Sequence, residues 1–415
     1  MKNVISAPLK AVIASIHIPS SKSISNRMLI IRSLAGSGAT LHNLSDSDDT
    51  KVLSKALDTE SDVKDVGHAG TAMRFLTAYL STQAGDVTLT GSERMKQRPV
   101  GPLVNALKQV GARIKYLENE ACPPLRIQGG VLNGGSITIE AGISSQFISA
   151  LMMIGPVLEG GLSIELMGKV VSASYMEMTL SLMNYCGAGA RLDGKTITVP
   201  QGTYSMENFR VESDWSGASY WYQVAALLPG SEITLPNLNQ NSLQGDAALL
   251  KIFEPLGVRT TFNEKGLILR SLKQDLPEQY TYDFTACPDL VQTLAVCLCA
   301  LGVPFRFTGT STLRVKETDR IAALQTELKK VGFVLSAESG GEWLEWDGKR
   351  CEPESDPLIQ TYHDHRMAMA FAPLAISLGK ISIEDPGVVS KSYPGYWTDL
   401  EKAGFGIGLS PAPDR

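Results

Sequence analysis

The sequence predicts an α/β protein of two domains, each built from three copies of one helix-and-strand repeat, and three observations carry that expectation. First, Leu107-Lys108-Gln109-Val110-Gly111-Ala112-Arg113-Ile114 reads as a helix stopped by glycine and followed by a strand. Similar phrases stop at Gly187, Gly257, Gly332 and Gly404, at intervals of 70 to 76 residues. Second, a polar cluster opens an apolar helix near Ser23, Gly70, Ser144, Ser216, Asp289 and His365, on the same beat after a first interval of 47 residues. Third, 415 residues at 43% apolar and 20% charged suffice for two large hydrophobic cores. Six repeats, the first shortened between Asp58 and Val66, divide into two sets of three.

Along the chain, Met1 to Pro8 lacks the apolar core of a secretory signal and the Arg-rich character of an organelle presequence, so a cytoplasmic location is expected. Ser21-Lys22-Ser23-Ile24-Ser25-Asn26-Arg27 packs cations and hydroxyls into a helix start. Val66-Gly67-His68-Ala69-Gly70 enters the helix Thr71 to Leu80, its glycines letting backbone amides approach an anion. Arg94-Met95-Lys96-Gln97-Arg98-Pro99 follows. Ser136 to Glu140 is a strand, and Ser144-Ser145-Gln146 opens the apolar helix Phe147 to Ile154 with groups suited to phosphate and sugar-like hydroxyls. A helix from Met176 to Tyr185 stops at Gly187. Gly189-Ala190-Arg191-Leu192-Asp193-Gly194-Lys195-Thr196 matches the P-loop letter for letter, but that loop must follow a strand and open a helix. Here a helix precedes it, Asp193-Gly194 is a hairpin turn signal and Lys195 to Val199 is a strand, so nucleoside triphosphate binding is rejected.

In the second half, Asp289 begins an apolar helix through Cys297 and Cys299, whose thiols pack as small hydrophobes. The six cysteines form no C-x-x-C pair, which predicts reduced, structural thiols. Helical spacing would set Lys316 and Arg320 on one face, with Glu317 at i,i+3 from Arg320. Asp364-His365-Arg366-Met367 and Lys391 complete the basic motifs, and Gly408 to Arg415, rich in proline, is expected to be loose. His363 and His365 have no third partner at metal-ligand spacing, so no metal is expected. The longest apolar runs, Phe147 to Leu158 and Leu294 to Phe305, fall short of the roughly 18 to 20 residues that span a bilayer. A pI of about 5.7 without a basic tail argues against nucleic acid as partner.

With Arg314, which opens the motif through Arg320, ten of the 38 Lys and Arg lie in these basic motifs, in a chain of net charge −5. If they converge, they would draw a small polyanion inward. Any one motif alone has an ordinary reading: a helix cap, a loop glycine, a solvated salt-bridged helix, a first-turn carboxylate. Six helix starts with interleaved Arg and Lys are harder to dismiss.

Ser21-Lys22-Ser23 through Arg27, Ala69 to Arg74, Arg98-Pro99, Ser144-Ser145-Gln146, Lys316-Glu317-Thr318-Asp319-Arg320 and Asp364-His365-Arg366 closely resemble the enolpyruvyl transferase family, specifically its enolpyruvylshikimate phosphate synthases, almost end to end and in family order. The resemblance implies two domains of three βαβαββ repeats, an inside-out α/β barrel. One domain would be residues 1–19 plus 214–415 and the other 20–213, hinged near 19–20 and 212–214, with ligand-driven closure. It implies transfer of the enolpyruvyl group of phosphoenolpyruvate to the 5-hydroxyl of shikimate 3-phosphate, releasing phosphate by addition and elimination, with no cofactor and no metal. A monomer is expected, with these two small molecules as its partners.

The same resemblance gives the site. Glu317 would handle the methylene proton, Asp289 would be the hydroxyl base, and Lys22 would assist proton transfer. Phosphoenolpyruvate would meet Lys22, Gly70, Arg98, Gln146, Arg320, Arg366 and Lys391, since arginine matches carboxylate and phosphate in geometry. Shikimate 3-phosphate would meet Lys22, Ser23, Arg27, Ser144, Ser145, Gln146, Ser172, Tyr175, Asp289 and Lys316. The chain departs from the family pattern at His68 and Thr312, where Asn is usual, and at Phe75, where Pro often stands. Gly70 rather than Ala predicts sensitivity to glyphosate. Two competitors stand beside this reading: the related transferase acting on UDP-N-acetylglucosamine, disfavoured by Ser21-Lys22-Ser23 and Lys316-Glu317, and a non-catalytic anion binder, which would not require acids aimed at an anionic ligand.

Overall fold

The glycines that stop the helices all stand in the left-handed region, with φ of 91° at Gly111, 83° at Gly187, 82° at Gly257, 95° at Gly332 and 91° at Gly404. An L side chain is strained there, so each glycine ends its helix and turns the chain into the next strand. The computed structural model describes residues 1–36, 38–142, 144–168 and 170–410. Its strands form six sheets among the described residues, five of four strands and one of two. The small sheet, Leu41–His42 beside Phe209–Arg210, belongs to the first repeat. Four of the other repeats follow their second helix with a hairpin and the last with the strand Gly406–Ser410, which pairs with Lys2–Ser6, whereas here the Asp48–Asp58 helix leads within a few residues into the strand Val63–Asp65 of the next sheet.

The chain divides into two compact units. One is continuous, Ser20–Val211; the other joins Met1–Pro19 to the described part of Glu212–Arg415. Each has its own hydrophobic core and three of the sheets. In the continuous unit, the Lys22–Ala35, Gly70–Ser81 and Ser145–Ile154 helices are buried along most of their length. In the discontinuous unit the corresponding helices are Trp215–Leu227, Val291–Leu301 and His365–Phe371. Helices apolar on every side must be enclosed, and here each repeat contributes one to its core. Cys297 and Cys299 are buried on the second of these.

Four of these helices stand between two strands that pair in parallel. Val63–Asp65 pairs with Gly85–Thr90 across the Gly70–Ser81 helix, and Asn133–Glu140 pairs with Glu159–Met167 across Ser145–Ile154. Tyr280–Asp283 pairs with Phe305–Thr308 across Val291–Leu301, and Leu358–Ile359 pairs with Lys380–Glu384 across His365–Phe371. The loop between first strand and helix thus meets both the carboxyl end of a strand and a helix N-terminus, where backbone N–H groups and the helix dipole favour anions. Gly67 to Arg74, Ser144 to Gln146, Asp289 and Asp364 to Met367 fall on these loops and the first turns after them, whereas Arg94 to Pro99, Lys316 to Arg320 and Lys391 follow the second strand of a pair.

Two local expectations are corrected, and a third holds. Lys316 and Arg320 do not share a helical face: the helix begins at Arg320 with Asp319 as its N-cap, and Lys316 lies on a bend before it. Asp319 accepts hydrogen bonds from the N–H groups of Ile321 and Ala322 at 3.1 and 3.0 Å, which fixes the start there. The tail is not loose from Gly408. Gly406–Ser410 is a strand antiparallel to Lys2–Ser6, pairing Lys2 with Ser410, and only residues 411–415 lie outside the described residues. The P-loop look-alike is the hairpin expected from its sequence, Arg191–Asp193 against Thr196–Val199, turning at Gly194 with φ 59°. No helix among the described residues is long and apolar enough to cross a membrane.

Candidate active site

In the discontinuous unit, Arg320 is the centre of a network of charges. Its side chain, 2% exposed, is the first residue of its helix and donates in three directions. Nε donates to Asp364 at 2.7 Å, Nη1 to Asp289 at 2.9 Å and Nη2 to Glu317 at 3.0 Å. Burial works against the guanidinium charge, but Asp364, Glu317 and Asp289 more than offset it, so Arg320 holds its proton even more tightly than an ordinary arginine. Arg366 Nη2 donates to the other Asp289 oxygen at 2.9 Å, Lys316 Nζ stands 3.6 Å from Asp289, and Lys391 Nζ donates to Glu317 at 3.1 Å. Asp289, Lys316, Glu317, Arg320, Arg366 and Lys391, spread over a hundred residues of sequence, are therefore one network.

The electrostatics of Asp289 follow from that geometry. Burial alone would raise its pKa; Arg366, Lys316 and Arg320 overcome this and hold the carboxyl well below the usual carboxylate range. It is an ionised acceptor at neutral pH. Asp364, wholly buried, both receives Arg320 and caps the His365–Phe371 helix by accepting from the Arg366 N–H at 2.9 Å. Four cations face these three carboxylates.

Sequence reasoning missed two members. Asp364 was read as part of a motif without a role of its own, although a carboxylate one residue before a helix was a visible cap signal. Asp246, buried in the Gly245–Ala248 turn, accepts a hydrogen bond from Ser216 at the start of the Trp215–Leu227 helix. Burial first, and then the negative charge of Asp289, push its carboxyl up to about 7. Nothing local in the sequence marks that residue, because the partners that matter to it stand thirty and more positions away.

In the continuous unit, the residues selected by sequence gather at the N-terminal ends of its three buried helices. Gln146 Nε2 donates to Thr71 Oγ1 at 3.2 Å, joining two of them. Ser144 caps its helix by accepting from the Gln146 N–H, and Ser145 is buried behind it. Lys22 forms an ion pair with Asp49 at 3.3 Å, and Ser23 offers its carbonyl to Arg27 at 3.0 Å. A Cβ on Gly70 would lie 2.6 Å from Arg98 Nη1 and 2.7 Å from Arg74 Nη1, so the absence of a side chain is what admits the Arg98 guanidinium. Among the described residues no carboxylate lies within ion-pair reach of Arg98.

Arg27 is buried and its donors meet neutral oxygens: Thr179 at 2.7 Å, Ser149 at 3.0 Å and the carbonyl of Tyr175 at 3.3 Å. Tyr175 also lays its ring beside the guanidinium, at 5.8 Å. Burial lowers the Arg27 pKa to about 10, which still leaves it charged at neutral pH. Among the described residues no carboxylate answers that charge. Ser172 opens the Ala173–Tyr185 helix in a left-handed conformation, φ 54°, which is costly for a serine. Of the departures from the family pattern, His68 is exposed and bonded to Ser92 at 2.9 Å, Phe75 is buried, and the Thr312 hydroxyl has no protein partner among the described residues.

The comparisons with known proteins give the family. The family model for EPSP synthase (3-phosphoshikimate 1-carboxyvinyltransferase) matches residues 7–59 and 53–400. A curated 3-phosphoshikimate 1-carboxyvinyltransferase of Bacteroides fragilis (strain YCH46) is 52% identical over 408 residues, covering 98% of this chain and 99% of the relative. One from Vibrio cholerae serotype O1 (strain M66-2) is 36% identical over 429 residues, covering 96% and 98%. Among solved structures, an EPSP synthase of Acinetobacter baumannii superposes with a TM-score of 0.78 at 22% identity, covering 99% of this chain and all of that one, which supports the fold. With a family model matched over nearly the whole chain and a curated relative 52% identical over 98% of it, the chain belongs to the EPSP synthase (3-phosphoshikimate 1-carboxyvinyltransferase) family.

Proposed function

We propose that this chain transfers the enolpyruvyl group of phosphoenolpyruvate to the 5-hydroxyl of shikimate 3-phosphate, in the cytoplasm, with the residues named above. The observation that carries the assignment of roles is the joining of Asp289 and Glu317 by one buried guanidinium, that of Arg320, with Lys391 on the far oxygen of Glu317. A binding site for anions has no use for two carboxylates held in its midst; a reaction that passes through a cation does.

In the reaction, a proton joins the methylene carbon of phosphoenolpyruvate while the acceptor hydroxyl attacks carbon 2 and gives up its proton. The tetrahedral adduct then loses phosphate and a methyl proton, restoring the double bond. Asp289, kept ionised by its cations, takes the hydroxyl proton, and Glu317 delivers and recovers the carbon-bound one. Both carboxylates oppose positive charge developing at carbon 2. Lys22 assists proton transfer. Arg366, Lys391 and Arg98 receive the phosphate and carboxylate of phosphoenolpyruvate, with Gly70 and Gln146 beside them. Arg320 belongs to the same clamp, chiefly by fixing the carboxylates. Shikimate 3-phosphate meets Ser23, Ser144, Ser145, Gln146, Ser172, Tyr175 and Lys316, and Arg27 supplies a buried positive charge toward it.

The test is phosphate release from phosphoenolpyruvate by the purified protein, with shikimate 3-phosphate and, in parallel, UDP-N-acetylglucosamine as acceptor. Release with shikimate 3-phosphate alone supports the reading. Release with the nucleotide sugar, or silence with both despite anion binding, overturns it.

A further inference from the structure

The loop that delivers Asp364 to Arg320 is held in an unfavourable shape. The Asp364 N–H donates to the Thr361 carbonyl at 2.8 Å, closing a four-residue turn. Its two central residues, Tyr362 and His363, have φ of 54° and 56°. Positive φ at both central positions is the pattern of a type I′ turn, which ordinarily takes Asn and Gly because a Cβ is strained there. Here an aromatic residue and a histidine occupy both, so the turn is closed against its local preference.

The restraint comes from a carboxylate outside the network described above. Glu327, fully buried on the Arg320–Lys330 helix, accepts from the Tyr362 hydroxyl at 2.6 Å with one oxygen. Its other oxygen accepts from the Gln360 N–H at 3.0 Å and from Lys330 at 2.7 Å. Lys330 in turn donates to the Leu358 carbonyl at 2.9 Å. One helix therefore grips the 358–364 segment twice: at its start, where Arg320 binds Asp364, and two turns on, where Glu327 binds Tyr362 and Gln360. The His363 side chain lies outside the grip, almost fully exposed.

We propose that Tyr362 is a positioning residue for the charged network: its hydroxyl, held by buried Glu327, keeps the strained Thr361–Asp364 turn closed, so that Asp364 meets Arg320 and starts the helix that carries Arg366. The inference rests on the reading of Arg320 and Arg366 as part of the phosphoenolpyruvate clamp. Tyr362 touches no substrate in this scheme and acts only through Asp364.

The experiment compares the full-length wild type, Tyr362→Phe and the double variant Tyr362→Phe/His363→Gly, by steady-state kinetics in both substrates and by amide hydrogen exchange over residues 358–368. Phenylalanine keeps the ring and removes one hydrogen bond to a charged acceptor. KM for phosphoenolpyruvate should rise about tenfold, the order of such a bond, with kcat and KM for shikimate 3-phosphate changing less than about threefold. Exchange over the turn should quicken. Glycine at 363 relieves half of the strain and should recover most of the lost KM. Unchanged kinetics and exchange in Tyr362→Phe overturn the proposal, as does an even loss in kcat and both KM values that glycine does not reverse, since that is what general destabilisation gives. If the wild type itself is silent with shikimate 3-phosphate, the functional reading falls on its own, and the exchange rates still decide whether the hydroxyl holds the turn.

Discussion

Asp289 is an ionised carboxylate because three cations outweigh its burial, and that balance makes its replacement informative. Asparagine keeps the shape but cannot take a proton, so Asp289→Asn should lower kcat by about two to four orders of magnitude. KM for phosphoenolpyruvate should not rise, since removing a carboxylate from among Arg320, Arg366 and Lys316 leaves the site more positive. Steady-state kinetics within tenfold of wild type would remove Asp289 from the role of base. Asp246 gives a pH signature instead. Facing Asp289, Arg366, Asp214 and the Ser216 hydroxyl, it holds its proton up to about pH 7 when folded, against a reference of 3.8. A pKa raised on folding gives stability that is full below the unfolded value and lost as pH rises through the folded one. Asp246→Asn escapes that loss. Its stability relative to wild type should therefore climb between about pH 4 and 7 and level off above, by a few kcal/mol at most. Denaturant melts at pH 5 and pH 8 measure it, and parallel pH profiles of the two proteins would contradict it. At Gly70, a methyl group must displace the Arg98 guanidinium, the mobile end of a flexible side chain, and disturb Arg74, which donates to the Gly70 carbonyl at 2.9 Å. Gly70→Ala should raise KM for phosphoenolpyruvate more than it lowers kcat, and weaken inhibition by glyphosate in the same assay. Equal affinity for both ligands would show that Arg98 is not part of the clamp.

Elements, by contrast, were legible wherever a local rule fixes them. A glycine that must adopt positive φ ends a helix whatever surrounds it, which is why the beat at Gly111, Gly187, Gly257, Gly332 and Gly404 could be read from spacing. The shortening of the first repeat between Asp58 and Val66 was readable from the 47-residue interval, and the structure shows that what is absent is the hairpin after the Asp48–Asp58 helix. The helix start at Arg320 was not readable by periodicity, because Lys316 and Glu317 match a helical face as well as a bend. What decides is Asp319, whose carboxylate binds two helical N–H groups and also accepts from Arg314 at 2.8 Å. Arg27 was legible as a cation but not as a buried one, since Ser149 and Thr179 lie more than a hundred residues away. The cap supplies its own test. Asp319→Ala should cost about 1 kcal/mol in denaturant unfolding, and Asp319→Asn a fraction of that. Because Arg320 is the first residue of the helix, the alanine variant should also lose activity beyond its loss of stability, whereas an asparagine variant should not. Loss of stability with full activity would mean that Arg320 is held by its carboxylates alone.

For the whole molecule, the division into two compact units with separate cores makes ligand effects separable. Of the ten residues proposed for shikimate 3-phosphate, eight lie in Ser20–Val211, and only Asp289 and Lys316 lie in the other unit. A ligand stabilises whatever it binds by mass action, about 2.7 kcal/mol at a hundredfold excess over its dissociation constant, and the gain appears first where its contacts are. The buried, uncompensated charge of Arg27 strengthens the effect, because a phosphate or carboxylate brought near it relieves a penalty that the free protein bears. Shikimate 3-phosphate alone should therefore slow amide exchange at the starts of the Lys22–Ala35, Ser145–Ile154 and Ala173–Tyr185 helices, with far smaller change around the Val291–Leu301 helix. Adding glyphosate to the saturated protein should then extend protection to segments 314–322 and 362–368, where Arg320 and Arg366 stand. If shikimate 3-phosphate instead protects only the discontinuous unit, the contacts assigned to Ser23, Arg27 and Ser144 through Gln146 are wrong even if turnover is normal, and the anion they await must be the other substrate.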